Sequence, residues 1–165
     1  MVCKMRILLL RHGIAENGRP GSPDSERELV PEGRKKLREV LKAAKDAGAA
    51  PDLILTSPYR RAVETAEIAA SVIGYAGELV HAGALTPDAS PAEVWTEIRA
   101  QKHFDEILLV GHEPLFSHLM AYLLGAPSLL VDFKKGALAC VDIEHFSAEP
   151  HGILRWFLTP KLAGA

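Results

Sequence analysis

Three short segments of the 165-residue chain share one design: an apolar run ends and nitrogen-bearing side chains follow within a few residues. They are Leu8-Leu9-Leu10-Arg11-His12-Gly13, Ile54-Leu55-Thr56-Ser57-Pro58-Tyr59-Arg60-Arg61 and Leu108-Leu109-Val110-Gly111-His112. In open α/β sheets the ligand crevice lies beyond the carboxyl ends of the strands. If the three runs are parallel neighbours, Arg11, His12, Arg61 and His112 converge there. Cationic donors around one point form an anion site, and phosphate is the natural guest of an arginine fork. Taken singly, each feature has an ordinary explanation. A lone histidine after a strand is more often structural, and Arg11 alone could be a solvated strand end. Arg60 and Arg61 resist that explanation, because they fall where a helix should begin and its dipole disfavours cations. A broken local rule points towards function.

Competing phosphate and hydrolase chemistries lack their residues. There is no G-x-x-x-x-G-K-S/T loop and no G-x-G-x-x-G. No cysteine is followed six positions later by arginine, no D-x-D occurs, and no G-x-S-x-G elbow is present. His112-Glu113 begins like a zinc helix, but Phe116 stands where H-E-x-x-H needs histidine. His81, His103, His118, His145 and His151 share no helical spacing. Cys3 and Cys140, without a C-x-x-C, suggest neither a disulfide framework nor a zinc site. Histidine itself is left as the nucleophile.

The elements that must position these residues alternate. Met5–Leu10, Asp52–Thr56, a weaker Glu78–His81, Glu106–Val110, and residues 137–143 and 153–159 read as strands. Helices are expected from Pro31 to about Asp46, after Ser57-Pro58 to about Ile73, after Ser90-Pro91 through Ile98, and from about Pro114 to Leu124. In two of these, Ser57 and Ser90 read as N-caps with proline at the first helical position. Residues 14–28, with Gly18, Pro20, Gly21 and Pro23, read as a loop. The pattern predicts one domain over 1–165, a three-layer α/β/α sandwich with a mostly parallel central sheet and an antiparallel C-terminal portion.

Hydrophobic residues make up 48% of the chain, too many for disorder, and the formal net charge is −2. So neutral a chain gives no reason to expect a nucleic-acid or anionic-membrane partner. The run Ile7–Leu10, ended by Arg11-His12, is too short for a signal peptide or a membrane span, so the cytoplasm is the expected location.

Leu10-Arg11-His12-Gly13 resembles the R-H-G signature of the histidine phosphatase superfamily, also called phosphoglycerate mutase-like. Thr56 to Thr65 resembles its S-P-x-x-R-A-x-x-T segment, and Val110-Gly111-His112-Glu113-Pro114 its V/I-G/S-H-x-P segment, in family order. The short length, Leu85-Thr86-Pro87, Gly136-Ala137-Leu138-Ala139, Trp156 and Thr159-Pro160 are most similar to small bacterial phosphohistidine phosphatases of the SixA type. The resemblance implies that His12 is the nucleophile and forms a phosphohistidine intermediate. It makes Arg11, Arg61 and His112 the remaining pocket residues, which hold phosphate without a metal or other cofactor. Arg60 is expected at the periphery, because Arg61 holds the motif position before Ala62. Many ester-cleaving relatives carry a general acid before the third helix, and Asp88 is the only carboxylate in that segment here. As a turn residue beside Pro87 it has an ordinary role as well.

An alkoxide leaving group needs a proton and a phosphorylated imidazole needs less help. Protein phosphohistidine is therefore the favoured substrate and a phosphorylated protein the expected partner. A small phosphate ester is the alternative, and a non-catalytic phosphate or phosphoprotein binding module is a third reading that an intact His12 argues against. Mutase activity is not expected, for want of the length that encloses a small substrate. The loop at 14–28 and the segment at 74–92 look too short to build a lid. A monomer is expected.

Overall fold

The computed structural model describes residues 4–165. Cys3 lies outside them. The elements follow in the order β1 (Met5–Arg11), α1 (Pro31–Asp46), β2 (Leu53–Thr56), α2 (Arg60–Ile73), β3 (Leu79–His81), α3 (Pro91–Ala100), β4 (Glu106–Gly111), α4 (Leu115–Leu123), β5 (Leu138–Ile143) and β6 (Ile153–Leu158). Short 3-10 turns occupy Asp24–Glu26 and Gly83–Leu85. The six strands form one sheet in the order β3-β2-β4-β1-β5-β6. Strands β3, β2, β4 and β1 are parallel, and β5 and β6 run antiparallel.

Alternation along each central strand feeds two cores. Ile7, Leu9, Leu55, Ile107 and Leu109 pack with α3 and α4 on one face. Leu8, Leu10, Ile54, Leu108 and Val110 pack with α1 and α2 on the other. Strands apolar on both sides must be covered on both sides, which gives the three layers expected from the sequence.

Register brings the three segments together. Arg11 stands beside Gly111, and Leu10 and Thr56 both flank Val110. The backbone N–H of His12 then donates to Gly111 O at 3.0 Å, and that of Ser57 to Val110 O at 2.9 Å. The carboxyl ends of β2, β4 and β1 thus form one contiguous rim.

Most boundaries fall within two residues of the sequence reading, and Ser90 makes the expected cap, a capping box with Glu93. The other expected cap is corrected. Helix α2 begins at Arg60, with Tyr59 at its N-cap position, so Ser57 does not cap it and Pro58 is not its first residue. The sheet-like bond from Ser57 N to Val110 O keeps the chain extended past the point where propensity alone would turn it.

One close approach fixes α1 against the start of the 14–28 loop. Gly33 lies inside α1, yet a Cβ there would sit 2.4 Å from the carbonyl oxygen of Ile14. Helix propensity alone predicts that Gly33→Ala gains about 1 kcal/mol. The backbone clash predicts instead a loss of about 1–3 kcal/mol, the usual cost of overpacking. Urea unfolding should show a lower midpoint for Gly33→Ala, and a higher one would contradict this packing.

Candidate active site

At the rim, Arg61 and both histidines are buried and Arg11 is half-buried. His12 follows β1 directly. Its Nδ1 lies 2.8 Å from the carbonyl oxygen of Gly13, an atom that can only accept, so Nδ1 carries the ring proton. Nε2 is then the lone-pair nitrogen, and it accepts from Arg61 Nε at 3.2 Å. Burial, followed by the nearby Arg61 and Arg11 charges, lowers the His12 pKa to about 3 against the pull of the Gly13 carbonyl. The imidazole is therefore neutral with a fixed tautomer, as a nucleophile must be.

Thr65, one turn after Arg61 on α2, links the two motifs. Its hydroxyl donates to Arg61 O at 2.7 Å and accepts from Gly13 N at 3.2 Å. Gly13 has no room for a side chain, since a Cβ would lie 2.7 Å from the buried Leu37. The backbone after His12 is thereby held between α1 and α2.

His112 follows β4. Its ring centre is 5.0 Å from that of His12, and its Nε2 is 2.8 Å from Ser57 Oγ. Ser57 Oγ also accepts from Tyr59 N at 3.3 Å, and among the described residues its hydroxyl hydrogen has no acceptor other than His112 Nε2, to which it donates. That arrangement assigns the ring proton to Nδ1, a buried atom with no hydrogen-bond partner among the described residues. Burial, then the neighbouring His12 and Arg61, lowers the His112 pKa to about 3 as well.

The two arginines are held by backbone and loop. Arg11 donates from an Nη to Phe133 O at 2.7 Å, and its buried Nε has no partner among the described residues. Arg61 donates to Asp24 O at 2.8 Å and pairs with the Asp24 carboxylate at 3.1 Å, while its guanidinium lies 5.1 Å from the Tyr59 ring centre. Burial lowers both arginines from their ordinary values, but a guanidinium stays charged in a protein. Burial opposes the Asp24 charge too, yet Arg27 and Arg61 outweigh it and hold the carboxyl below its usual range.

The structure thus gathers Arg11, His12, Arg61 and His112. Arg60 is turned away, with its side chain 53% exposed against 4% for Arg61, and pairs with Glu28 at 2.7 Å. Asp88 is exposed in the turn after Gly83–Leu85, and no hydrogen bond or ion pair ties it to the four among the described residues. Two participants escaped sequence reasoning, Asp24 and the Phe133 carbonyl, while Ser57, first residue of the second motif, was read as a helix cap and not as a partner of His112. Asp24 also corrects the expectation for residues 14–28, which are no bare connection but reach the site and occupy the Arg61 fork. Thr65 was visible as the last residue of the second motif.

Two buried neutral histidines have a measurable consequence. Their folded pKa values lie below the ordinary 6.5, so the unfolded state binds more protons as pH falls below that value. Stability should therefore decline continuously from about pH 6.5 towards pH 3. Thermal melts over this range should show a shallower decline for His12→Gln/His112→Gln than for the wild type. Equal slopes would contradict the assigned protonation.

Comparison with known proteins agrees with this geometry. Residues 7–83 match the histidine phosphatase superfamily (branch 1). An uncharacterized protein of Picosynechococcus sp. is 31% identical over 111 residues, 67% of each chain. The solved structure of the protein histidine phosphatase SixA complexed with tungstate superposes with a TM-score of 0.85 at 25% identity, covering 95% of this chain and 98% of that one. The alpha-ribazole phosphatase from Shigella flexneri shares the fold, with a TM-score of 0.72 at 20% identity over 94% of this chain and 97% of its own. With the R-H-G strand end, the helix bearing Arg61 and the second histidine on one rim, the chain belongs to the histidine phosphatase superfamily, branch 1.

Proposed function

We propose that the protein is a phosphatase that hydrolyses phosphohistidine on proteins through a covalent intermediate on His12. The observation that carries this reading is the state of His12: a neutral ring, its Nδ1 proton donated to Gly13 O, its Nε2 lone pair turned to a guanidinium. A site for holding phosphate needs the arginines but not this poised nitrogen, which weighs against a pure binding module.

In the first step Nε2 exchanges its bond to Arg61 for one to phosphorus. The N–P bond to the substrate imidazole breaks in line, and the departing nitrogen takes a proton from solvent water. Arg11, Arg61 and His112 Nδ1–H hold the phosphoryl oxygens as charge spreads over them. In the second step water attacks phosphorus and returns one proton to solvent, the bond to His12 Nε2 breaks, and inorganic phosphate leaves. The arginines supply the charge neutralisation within the chain itself.

Asp88 is the candidate proton donor for an ester. Leu85, three residues before it, places its carbonyl oxygen 3.4 Å from where a Cβ on Gly111 would stand, so its turn borders the rim. An exposed carboxylate with no partner at the site is a poorly organised acid. This favours a nitrogen leaving group, which needs less help than an alkoxide. A small-molecule phosphomonoesterase is the competing reading.

Side-by-side kinetics on a phosphohistidine-bearing domain and a panel of phosphate monoesters test the proposal. The domain should be preferred in kcat/KM by at least about 10²-fold, the size of one missing general-acid contribution. Asp88→Asn should reduce ester cleavage at least as much as phosphohistidine cleavage. A strong preference for one sugar or nucleotide phosphate would overturn the substrate assignment and leave the nucleophile standing.

Single variants test the site. Arg61→Ala should cost about 10²-fold or more in kcat, as for loss of a preorganised charge donor. Arg60→Ala should cost far less, and a larger loss from Arg60→Ala would reverse the two roles.

A further inference from the structure

A recess of about 930 Å³ opens beside Arg11, lined among others by Lys36, Lys134, Lys135, Lys161 and Asp132. On a chain of net charge −2 this is a local concentration of positive charge. It is only partly neutralised: Lys134 pairs with Asp132 at 2.9 Å and Lys36 with Glu32 at 3.3 Å. Lys135 and Lys161 make no ion pair among the described residues and are exposed. The catalytic steps above use none of these lysines.

The recess is built onto the catalytic strand. Gly136, in the left-handed region at φ 77°, donates its N–H to the carbonyls of Arg11 and His12 at 3.2 and 3.1 Å. Ala137 N closes the turn on Lys134 O at 2.9 Å. Lys134 and Lys135 are thereby carried on a turn tied to the backbone of the nucleophile itself. Pro160, the neighbour of Lys161, packs against the same glycine, 3.4 Å from where its Cβ would be. The segment leading into this turn ends an apolar tip, Leu129-Leu130, in which Leu130 is 94% exposed.

We propose that this face is the docking surface for the phosphorylated protein, and that it takes an acidic surface flanking the phosphohistidine. The proposal rests on the substrate reading above and names the partner's chemistry. Lysine ammoniums are mobile point charges that suit a spread of carboxylates, whereas bidentate arginines suit a second bound phosphate. An exposed leucine tip on the same segment offers an apolar anchor that only a macromolecular surface is large enough to cover. Charge complementarity of this kind acts mainly on encounter and is screened by salt.

The test uses the full chain and two probes. One is an acidic phosphohistidine-bearing carrier domain, phosphorylated with potassium phosphoramidate, and the other is phosphoramidate itself. Lys134→Glu/Lys161→Glu and Leu130→Ser are compared with the wild type, and Lys135 is kept because its charge acts on His12. On the carrier, KM should rise about tenfold for the double variant and in the same direction for Leu130→Ser, with kcat unchanged. Added salt should lower wild-type kcat/KM on the carrier steeply and that of the double variant only weakly. Turnover of phosphoramidate should be unchanged, which also shows that the variants fold. An unchanged KM on the carrier, or an equal loss on both probes, would overturn the docking surface while leaving the substrate reading intact. A wild type that cleaves phosphoramidate but no phosphohistidine carrier would overturn both.

Discussion

Two arginines and two histidines can share one rim only if the histidines carry no charge. Four cations in a partly buried space would repel, and each would have lost much of its water. The chain solves this by leaving the arginines charged and burying both imidazoles as neutral rings. Asp24 supplies part of the balancing charge from a loop rather than from the core. The neutrality that makes the cluster tolerable also makes His12 Nε2 a nucleophile, so the electrostatic constraint and the chemistry have one origin.

The fold serves that constraint through adjacency. Strand order places β4 between β1 and β2, so three motifs far apart in sequence end on neighbouring strands. Backbone bonds from His12 to Gly111 and from Ser57 to Val110 set the height of each side chain on the rim. Helix α2 then points Arg61 inward and Thr65 back to Gly13, so that one helix orients both the charge donor and the backbone after the nucleophile. The buried atoms left without partners, Arg11 Nε and His112 Nδ1, are donors. Donors left over beside two guanidiniums are what an oxyanion would satisfy.

The parts legible in the sequence were those set by local pattern. Apolar runs such as Leu108-Leu109-Val110 read as strands buried on both faces, and the residues that follow each run marked the rim. The misplaced start of α2 shows where that logic fails: Ser57-Pro58 has every local feature of a cap, but a tertiary bond to β4 keeps it extended and frees its hydroxyl for His112. Asp24 could not be found in this way, because its partner is 37 residues away and its own surroundings are an unpatterned polar loop. The Phe133 carbonyl is backbone, and no side-chain type announces it.

The central claim concerns one atom, His12 Nε2. Rapid acid-free quenching of the enzyme during turnover of phosphoramidate, followed by peptide mapping and phosphorus NMR, reads which atom carries the phosphoryl group. With Nδ1 committed to the Gly13 carbonyl, the account predicts phosphate on His12 bonded through Nε2. Phosphate bonded through Nδ1, or trapped on any other residue, would contradict it.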